Sequence, residues 1–108
     1  MSEKELLRSH TPLFHFEWRS RMYIVYILRS KKYPERLYIG LTEDLENRVE
    51  EHNSNESKYS KNYAPWDLEV YVVIKDKVQA VSFEKYLKSG SGFAFLKKRL
   101  LPQTKSSK

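Results

Sequence analysis

Two tyrosines, an arginine, a histidine and a glutamate are the side chains of this sequence whose types and spacing suit chemistry at a phosphate. Tyr26 and Tyr38 lie in two short apolar stretches. Arg48 and His52 follow four residues apart, and Glu84 comes much later in the chain. An arginine binds a phosphate through paired hydrogen bonds, a tyrosine or histidine orients or deprotonates a water, and one carboxylate can hold a hydrated Mg²⁺. If these residues converge, they predict a site for phosphodiester hydrolysis.

The two tyrosine-bearing stretches predict an antiparallel β-hairpin. Residues 23–29 and 37–41 are rich in β-branched and aromatic side chains, and the link between them is short and polar. Opposed residues of a hairpin have a constant sum of numbers, and an even sum, which an odd-length loop gives, puts Tyr26 and Tyr38 on the same face of the sheet. Gly40 adds no side chain to that face. The first stretch is apolar enough to be covered on both of its faces.

A helix is predicted after the hairpin, with Thr42 as its N-cap and its end at residue 52 or 53. Leu45 and Val49 mark the side that faces the sheet, and Arg48 and His52 lie on one edge next to that stripe. The side chains expected to point outward are Asn47, Glu50 and Glu51. An arginine turned toward the sheet is unusual on a helix that is otherwise acidic, and this favours a functional interpretation of Arg48.

The polar segment 53–66 is long for a connection in a small domain, and such loops often bind ligands. It alternates bases and aromatics at Lys58, Tyr59, Lys61 and Tyr63. That alternation suits phosphate contacts combined with base stacking. It is equally typical of a solvated loop, so the two interpretations stay open.

The remaining pattern predicts a third strand and two more helices. Residues 68–74 are apolar enough for a central strand, and residues 76–89 follow a helical period. Residues 93–101 predict a short final helix that Pro102 ends, with Gly90 and Gly92 as breaks before it. The chain thereby divides into an extension (1–21), a domain (22–101) and a disordered tail (102–108).

Glu84 lies within the buried stripe predicted for the second helix. Ala80, Phe83 and Leu87 have the spacing of that stripe, and Glu84 fills a further position in it. A carboxylate there is unfavourable unless it pairs or binds a cation, so Glu84 is the candidate metal ligand. The structural alternative is an ordinary ion pair with Lys88, which could also contact a nucleic acid.

Composition restricts the classes of function. After His52, 11 Lys and Arg residues stand against 5 Asp and Glu, which equals the net charge of +6 of the whole chain. This charge suits a polyanionic partner such as nucleic acid, and solubility alone explains it equally well. The absence of Cys excludes disulfides, thiolate nucleophiles and zinc fingers, and a reducing compartment, the cytoplasm, is expected. No stretch approaches the ~20 apolar residues of a membrane span, so no membrane association is expected.

These residues together resemble the GIY-YIG endonuclease domain family, in particular its short stand-alone bacterial members of the excinuclease C-like type. Residues 24–26 (Ile-Val-Tyr) stand at the first motif, and residues 38–40 (Tyr-Ile-Gly) match the second. Arg48, His52 and Glu84 follow in the family's order. The resemblance covers residues 23–101.

The resemblance implies an α+β fold, a three-stranded antiparallel sheet flanked by helices. It implies one divalent cation, Mg²⁺ or Mn²⁺, at Glu84 and contact of Arg48 with the phosphate. Tyr26, Tyr38 and His52 would then serve water activation and positioning. Departures from the family are Ile24 in place of the first glycine, no lysine directly after the second motif and no asparagine in residues 93–101.

We therefore expect a metal-dependent endonuclease that cuts duplex or branched DNA, for instance in DNA repair, leaving a 5′-phosphate and a 3′-hydroxyl. The sequence has no second DNA-binding domain, so a protein partner could supply target specificity. The alternative is a nucleic-acid-binding module with the same fold and little or no catalysis. A protein-interaction domain would leave the five residues unexplained.

Overall fold

The computed structural model describes residues 22–54 and 60–103, and its centre is a three-stranded antiparallel sheet. The strands are β1 (Tyr23–Ser30), β2 (Leu37–Thr42) and β3 (Trp66–Ile74), in the order β2-β1-β3. Strand β1 is therefore central and pairs antiparallel with both neighbours. The predicted α+β fold and hairpin are confirmed.

The prediction that the third strand is central is wrong. β3 forms an edge of the sheet, and its Leu68 and Tyr71 are 39% and 51% exposed. By contrast, five consecutive residues of β1, from Ile24 to Leu28, are buried. Apolar content alone cannot separate a central strand from an edge strand whose side chains cover a neighbouring element.

Three α-helices accompany the sheet: α1 (Leu45–Asn53), α2 (Lys77–Lys88) and α3 (Gly90–Phe95). A short 3₁₀ helix (Ser60–Tyr63) precedes β3, and a π-helical turn (Leu96–Leu100) follows α3. In the described part of the chain, none of these helices has the length and apolar character needed to span a membrane.

Two helix starts differ from the sequence prediction. Asp44, not Thr42, is the N-cap of α1, because its side chain accepts a hydrogen bond from the Asn47 amide. The Thr42 hydroxyl instead accepts from the Asp44 amide at 3.0 Å. Helix α3 begins at Gly90, earlier than predicted, because the Ser89 hydroxyl caps it by accepting from the Gly92 amide.

The sheet separates two apolar clusters, and each strand contributes alternate side chains to them. On the side that we call the tyrosine face, Tyr26, Leu28 and Trp66 are buried and Leu45 and Val49 of α1 cover them. The opposite side, the aliphatic face, carries the larger cluster. Its buried members are Val25, Ile27, Ala80, Leu87, Leu96 and Leu101.

Helix α2 lies on the aliphatic face and packs there as its predicted stripe requires. Ala80 and Leu87 are fully buried, and Phe83 packs against the same cluster. The extension 1–21 and residues 104–108 lie outside the described residues. Of the predicted tail, the structure describes Pro102 and Gln103. Gln103 donates hydrogen bonds to the carbonyls of Lys97 and Lys98.

Candidate active site

The register of the hairpin places the two motif tyrosines side by side on the tyrosine face. Tyr26 is opposite Gly40, and Tyr38 is opposite Leu28, so the tyrosines are diagonal neighbours. Their ring centroids are 6.2 Å apart, and the ring planes differ by 24°. The prediction of a shared face is confirmed.

Gly40 makes this arrangement possible because the Tyr26 ring lies across its Cα. A Cβ at position 40 would overlap the Tyr26 hydroxyl and would lie only 2.5 Å from Tyr26 Cζ. Tyr26 itself is 1% exposed, so its ring has little room to retreat. Glycine is therefore required here for close approach, and not for an unusual backbone angle.

Helix α1 brings His52 into the same place. The Tyr26 hydroxyl lies 2.9 Å from His52 Nε2. The imidazole also contacts the Tyr38 ring, at a centroid distance of 4.4 Å. His52 is fully buried, as is Tyr26, so the pair is shielded from water.

Burial also determines the protonation states of this pair. Desolvation and then the nearby Arg48 charge lower the pKa of His52 below its ordinary value of 6.5, so the imidazole is neutral at pH 7. Desolvation raises the pKa of Tyr26 to about 12 despite a hydrogen bond from Arg48, so its hydroxyl keeps its proton. A protonated phenol and a neutral imidazole share one hydrogen bond here, and the tautomer of His52 determines which of the two donates.

Arg48 completes the group from the next turn of α1. Its guanidinium hydrogen-bonds the Tyr26 hydroxyl and donates to Glu51 Oε1 at 2.6 Å. The hydrogen bond with Glu51, followed by that with Tyr26, raises the pKa of Arg48 above its ordinary value. The Arg48 side chain is 38% exposed, so this cation lies between the buried pair and solvent.

Sequence reasoning missed two residues that hold this group. Glu51 was expected to point outward, but it is half-buried and paired with Arg48; the i, i+3 spacing was the available signal. Asn53 accepts from the Trp66 amide at 2.5 Å and donates to the Trp66 carbonyl at 3.3 Å, which fastens α1 to β3. Trp66 in turn contacts the Tyr38 ring edge-on at 6.2 Å. No sequence pattern predicts these contacts of Asn53.

Glu84 is not among the residues that the tyrosine face brings together. It lies on α2, which packs on the aliphatic face, and its carboxylate pairs with Lys88 Nζ at 2.5 Å. The Glu84 side chain is only 16% exposed, whereas Lys88 is 53% exposed. The described residues contain no group of three or more His, Asp or Glu side chains that could hold a metal together. A cation at Glu84 would thus rely on one carboxylate and on oxygens from substrate and water, a donor set that Mg²⁺ accepts.

The four loop residues predicted to bind nucleic acid have different surroundings. Lys58 and Tyr59 lie outside the described residues, and Lys61 is exposed. Tyr63 is half-buried: it contacts Trp66 at 6.3 Å, and the Arg36 guanidinium lies 4.8 Å from its ring centre. Tyr63 is therefore engaged within the fold and is a weaker candidate for base stacking.

A cavity of about 640 Å³ opens beside the tyrosine face, between β3 and the start of α1. Its apolar lining includes Leu68 and Tyr71, and its rim carries three carboxylates, Glu43, Asp44 and Glu46. Negative charge at this rim repels phosphate. A nucleic acid that reaches Arg48 is therefore expected to approach from another side.

Comparisons with known proteins identify the family to which this sequence is similar. Residues 22–98 match the GIY-YIG catalytic domain. A UPF0213 protein of Clostridium perfringens is 38% identical over 68 residues, which cover 62% of this chain and 71% of that protein. The structure-specific endonuclease subunit SLX1 of Malassezia globosa is 35% identical over 68 residues, which cover 59% of this chain but only 15% of that larger protein. The resemblance inferred from the motifs is confirmed, and the chain belongs to the family of GIY-YIG catalytic domains, which are nuclease domains.

Proposed function

We propose that this protein is a divalent-metal-dependent endonuclease that hydrolyses phosphodiester bonds in DNA. The observation that carries the proposal is the hydrogen-bonded group of Tyr26, His52 and Arg48 behind the half-buried Tyr38. Strand β1 and helix α1 contribute the three side chains of this group, β2 contributes Tyr38, and the chain belongs to a family of nuclease domains. A structural role alone does not require a guanidinium at a buried tyrosine.

Differences in burial support different roles for these residues. Arg48, with 38% of its side chain exposed, binds the scissile phosphate and stabilises its developing charge. Tyr38 is half-buried and orients the attacking water. Tyr26 and His52 are buried and act as positioning residues that hold Arg48 and Tyr38.

The proposed reaction is attack by a water oxygen on phosphorus, in line with the departing 3′ oxygen. The new oxygen–phosphorus bond forms as the bond between phosphorus and the 3′ oxygen breaks. The water loses one proton and the 3′ oxygen gains one, so the products are a 5′-phosphate and a 3′-hydroxyl. Arg48 remains protonated throughout and supplies positive charge only.

Glu84 is the residue proposed to hold Mg²⁺ or Mn²⁺, with Lys88 released from its ion pair to contact phosphate. When bound, the cation supplies Lewis-acid stabilisation of phosphate oxygens. The low exposure of Glu84 supports this role, because a carboxylate in that environment needs a positive partner. The released Lys88, which is 53% exposed, can reach outward to the nucleic acid.

Cleavage of labelled duplex, single-stranded and branched DNA with Mg²⁺ or Mn²⁺ tests the proposal. Glu84→Gln should lower the rate by at least about 100-fold, because it removes the proposed metal ligand. Glu69→Gln is the matched control: its side chain is 18% exposed and it pairs with Arg29 on β1. The proposal fails if no DNA is cut, or if the Glu84 variant cuts as fast as the Glu69 variant.

The ion pair between Glu84 and Lys88 favours a second candidate, a nucleic-acid-binding module without cleavage. In that case the pair simply neutralises a half-buried carboxylate, and Arg48 binds phosphate without chemistry. Salt-dependent binding of DNA with no products in either metal would decide for the module.

The substrate structure and a partner are proposed from the relatives alone. The Malassezia globosa protein is named as a subunit of a structure-specific endonuclease. We propose branched DNA, and a role in repair, for this chain, with target choice supplied by a partner protein. Equal cleavage of linear and branched duplexes by the isolated chain would argue against that choice of substrate.

A further inference from the structure

The chain beyond Glu84 carries positive charge only. Residues 85–108 contain seven Lys and Arg and no Asp or Glu. The cations among the described residues of this segment are all exposed, and they are Lys85, Lys88, Lys97, Lys98 and Arg99. Lys88 pairs with Glu84, whereas within residues 22–54 and 60–103 no ion pair is formed by the other four. An unneutralised group of cations attracts polyanions.

Three exposed aromatic rings lie in the same segment. Tyr86 is 41% exposed, Phe93 36% and Phe95 38%. Tyr86 and Phe95 contact each other with ring centroids 6.0 Å apart, and Lys97 Nζ lies 5.5 Å from the centre of the Phe93 ring. Aromatic faces beside cations are the arrangement on which unpaired bases stack while their phosphates are neutralised.

The aliphatic side chains of this segment are not available to a partner. Leu87, Leu96 and Leu101 are buried in the cluster on the aliphatic face. A helix that binds a membrane surface presents one continuous apolar face, of Trp, Phe and Leu, opposite a basic polar face. Here the leucines are buried and a cation lies directly over an exposed ring, so no such continuous apolar face is formed, which favours nucleic acid over a lipid surface.

We propose that Tyr86, Phe93, Phe95, Lys97, Lys98 and Arg99 form a binding surface for unpaired nucleic acid, which we call the C-terminal surface. Helix α2, helix α3 and the π-helical turn after it carry this surface, and their buried side chains pack on the aliphatic face. A nucleic acid that reaches both this surface and Arg48 has to combine a scissile phosphate with an unpaired segment. This last step rests on the proposed nuclease function, whereas binding at the C-terminal surface does not.

Fluorescence anisotropy with a labelled oligothymidine, in EDTA to prevent cleavage, tests the stacking contribution. Phe93→Ala and Phe95→Ala should each weaken binding roughly tenfold, because each removes a stacking ring. Phe93→Leu keeps the apolar bulk and should lose nearly as much affinity as Phe93→Ala. Tyr71→Ala is the matched control, since Tyr71 is 51% exposed but lies on β3, and it should bind like the parent.

The contribution of charge is measured separately, from the salt dependence of binding. Replacing Lys97, Lys98 and Arg99 together by Ala should reduce the slope of log affinity against log salt by about 2, at about 0.7 for each phosphate contact to a single strand. Glu69→Gln removes a carboxylate on β3 that pairs with Arg29, and it should bind oligothymidine like the parent.

Two results would overturn the proposal. One is unchanged oligothymidine binding by Phe93→Ala, Phe95→Ala and the triple variant, each checked for a parental melting temperature. The other is binding of the parent to phosphatidylserine vesicles but not to oligothymidine, with the vesicle binding lost in the same variants.

Discussion

Adding one methyl group at Gly40 should displace the buried tyrosine of the site. The new Cβ would overlap the Tyr26 hydroxyl and lie 2.5 Å from Cζ and 2.9 Å from Cε1 of that ring. Carbon atoms in favourable contact are about 3.5–4.0 Å apart, so the end of the ring must move by about 1 Å. Tyr26 cannot make that shift and keep its 2.9 Å hydrogen bond to His52.

The expected effects differ for stability and for activity. Overpacking a core by one methyl costs about 1–3 kcal/mol and loss of the hydrogen bond about 1 kcal/mol, while Gly→Ala in a strand regains up to about 1 kcal/mol. Gly40→Ala should therefore lower the free energy of unfolding by about 2 kcal/mol. Because Arg48 loses its contact with the Tyr26 hydroxyl, a displacement of about 1 Å should slow cleavage about 100-fold.

Denaturant unfolding and DNA cleavage rates measure the two effects, and Gly90→Ala is the control. A Cβ at Gly90 has no atom within 4 Å. Removing the hydroxyl as well, in Tyr26→Phe with Gly40→Ala, should recover part of the stability without recovering activity, because the hydroxyl is the nearest atom. A Gly40→Ala protein that unfolds and cuts DNA like the parent would refute the assigned position of Tyr26.

Three further predictions concern the support of the site. Because the pKa of His52 is lowered below 6.5, the unfolded state binds more protons than the native state below that pH. The parent should therefore lose stability relative to His52→Gln as pH falls from about 6.5. Thermal unfolding of both proteins at a series of pH values measures this difference. Asn53→Ala removes both hydrogen bonds to the Trp66 backbone and should cost about 2 kcal/mol in urea unfolding, against little change for a control substitution at the exposed Asn47. Gly92→Ala would force a Cβ into the Tyr86 carbonyl, a backbone atom that cannot turn away, and should lower the melting temperature markedly. A pH-independent difference for His52, or parental stability of either other variant, would contradict the corresponding contact.

The hairpin and the shared face of its tyrosines were predictable because strand alternation and hairpin register are local rules. Tyr26 and Tyr38 differ by an even number, and in a hairpin whose opposed residues have an even sum, as here, this places them on a common face. The stripe of α2 was predictable for the same reason, since Ala80 and Leu87 follow the helical period. Both predictions depend on residues that belong to one helix or one hairpin and are therefore close in the sequence.

Contacts between distant segments were not predictable from such rules. The edge position of β3 depends on which strand pairs with β1, and the hydrogen bonds of Asn53 to Trp66 join residues 13 positions apart. The start of α1 was misplaced because Thr42 and Asp44 are both good caps, and local geometry decides between them. The burial of His52 likewise follows from how α1 lies on the sheet, which periodicity predicts only as an edge position.

Strand β1 contributes side chains to both apolar clusters, and this couples the mobility of the site to the stability of the whole domain. Its Tyr26 belongs to the cluster on the tyrosine face, and its Val25 and Ile27 belong to the cluster on the aliphatic face. Loss of either cluster exposes one side of this strand and removes its burial there, so the stabilities of the two clusters are coupled. Hydrogen exchange at the β1 amides should therefore proceed only by global unfolding. In a nuclease domain built this way, the buried tyrosine that contacts Arg48 lies in a strand that opens only with the whole domain, and substrate adaptation falls to the loops and helices around it.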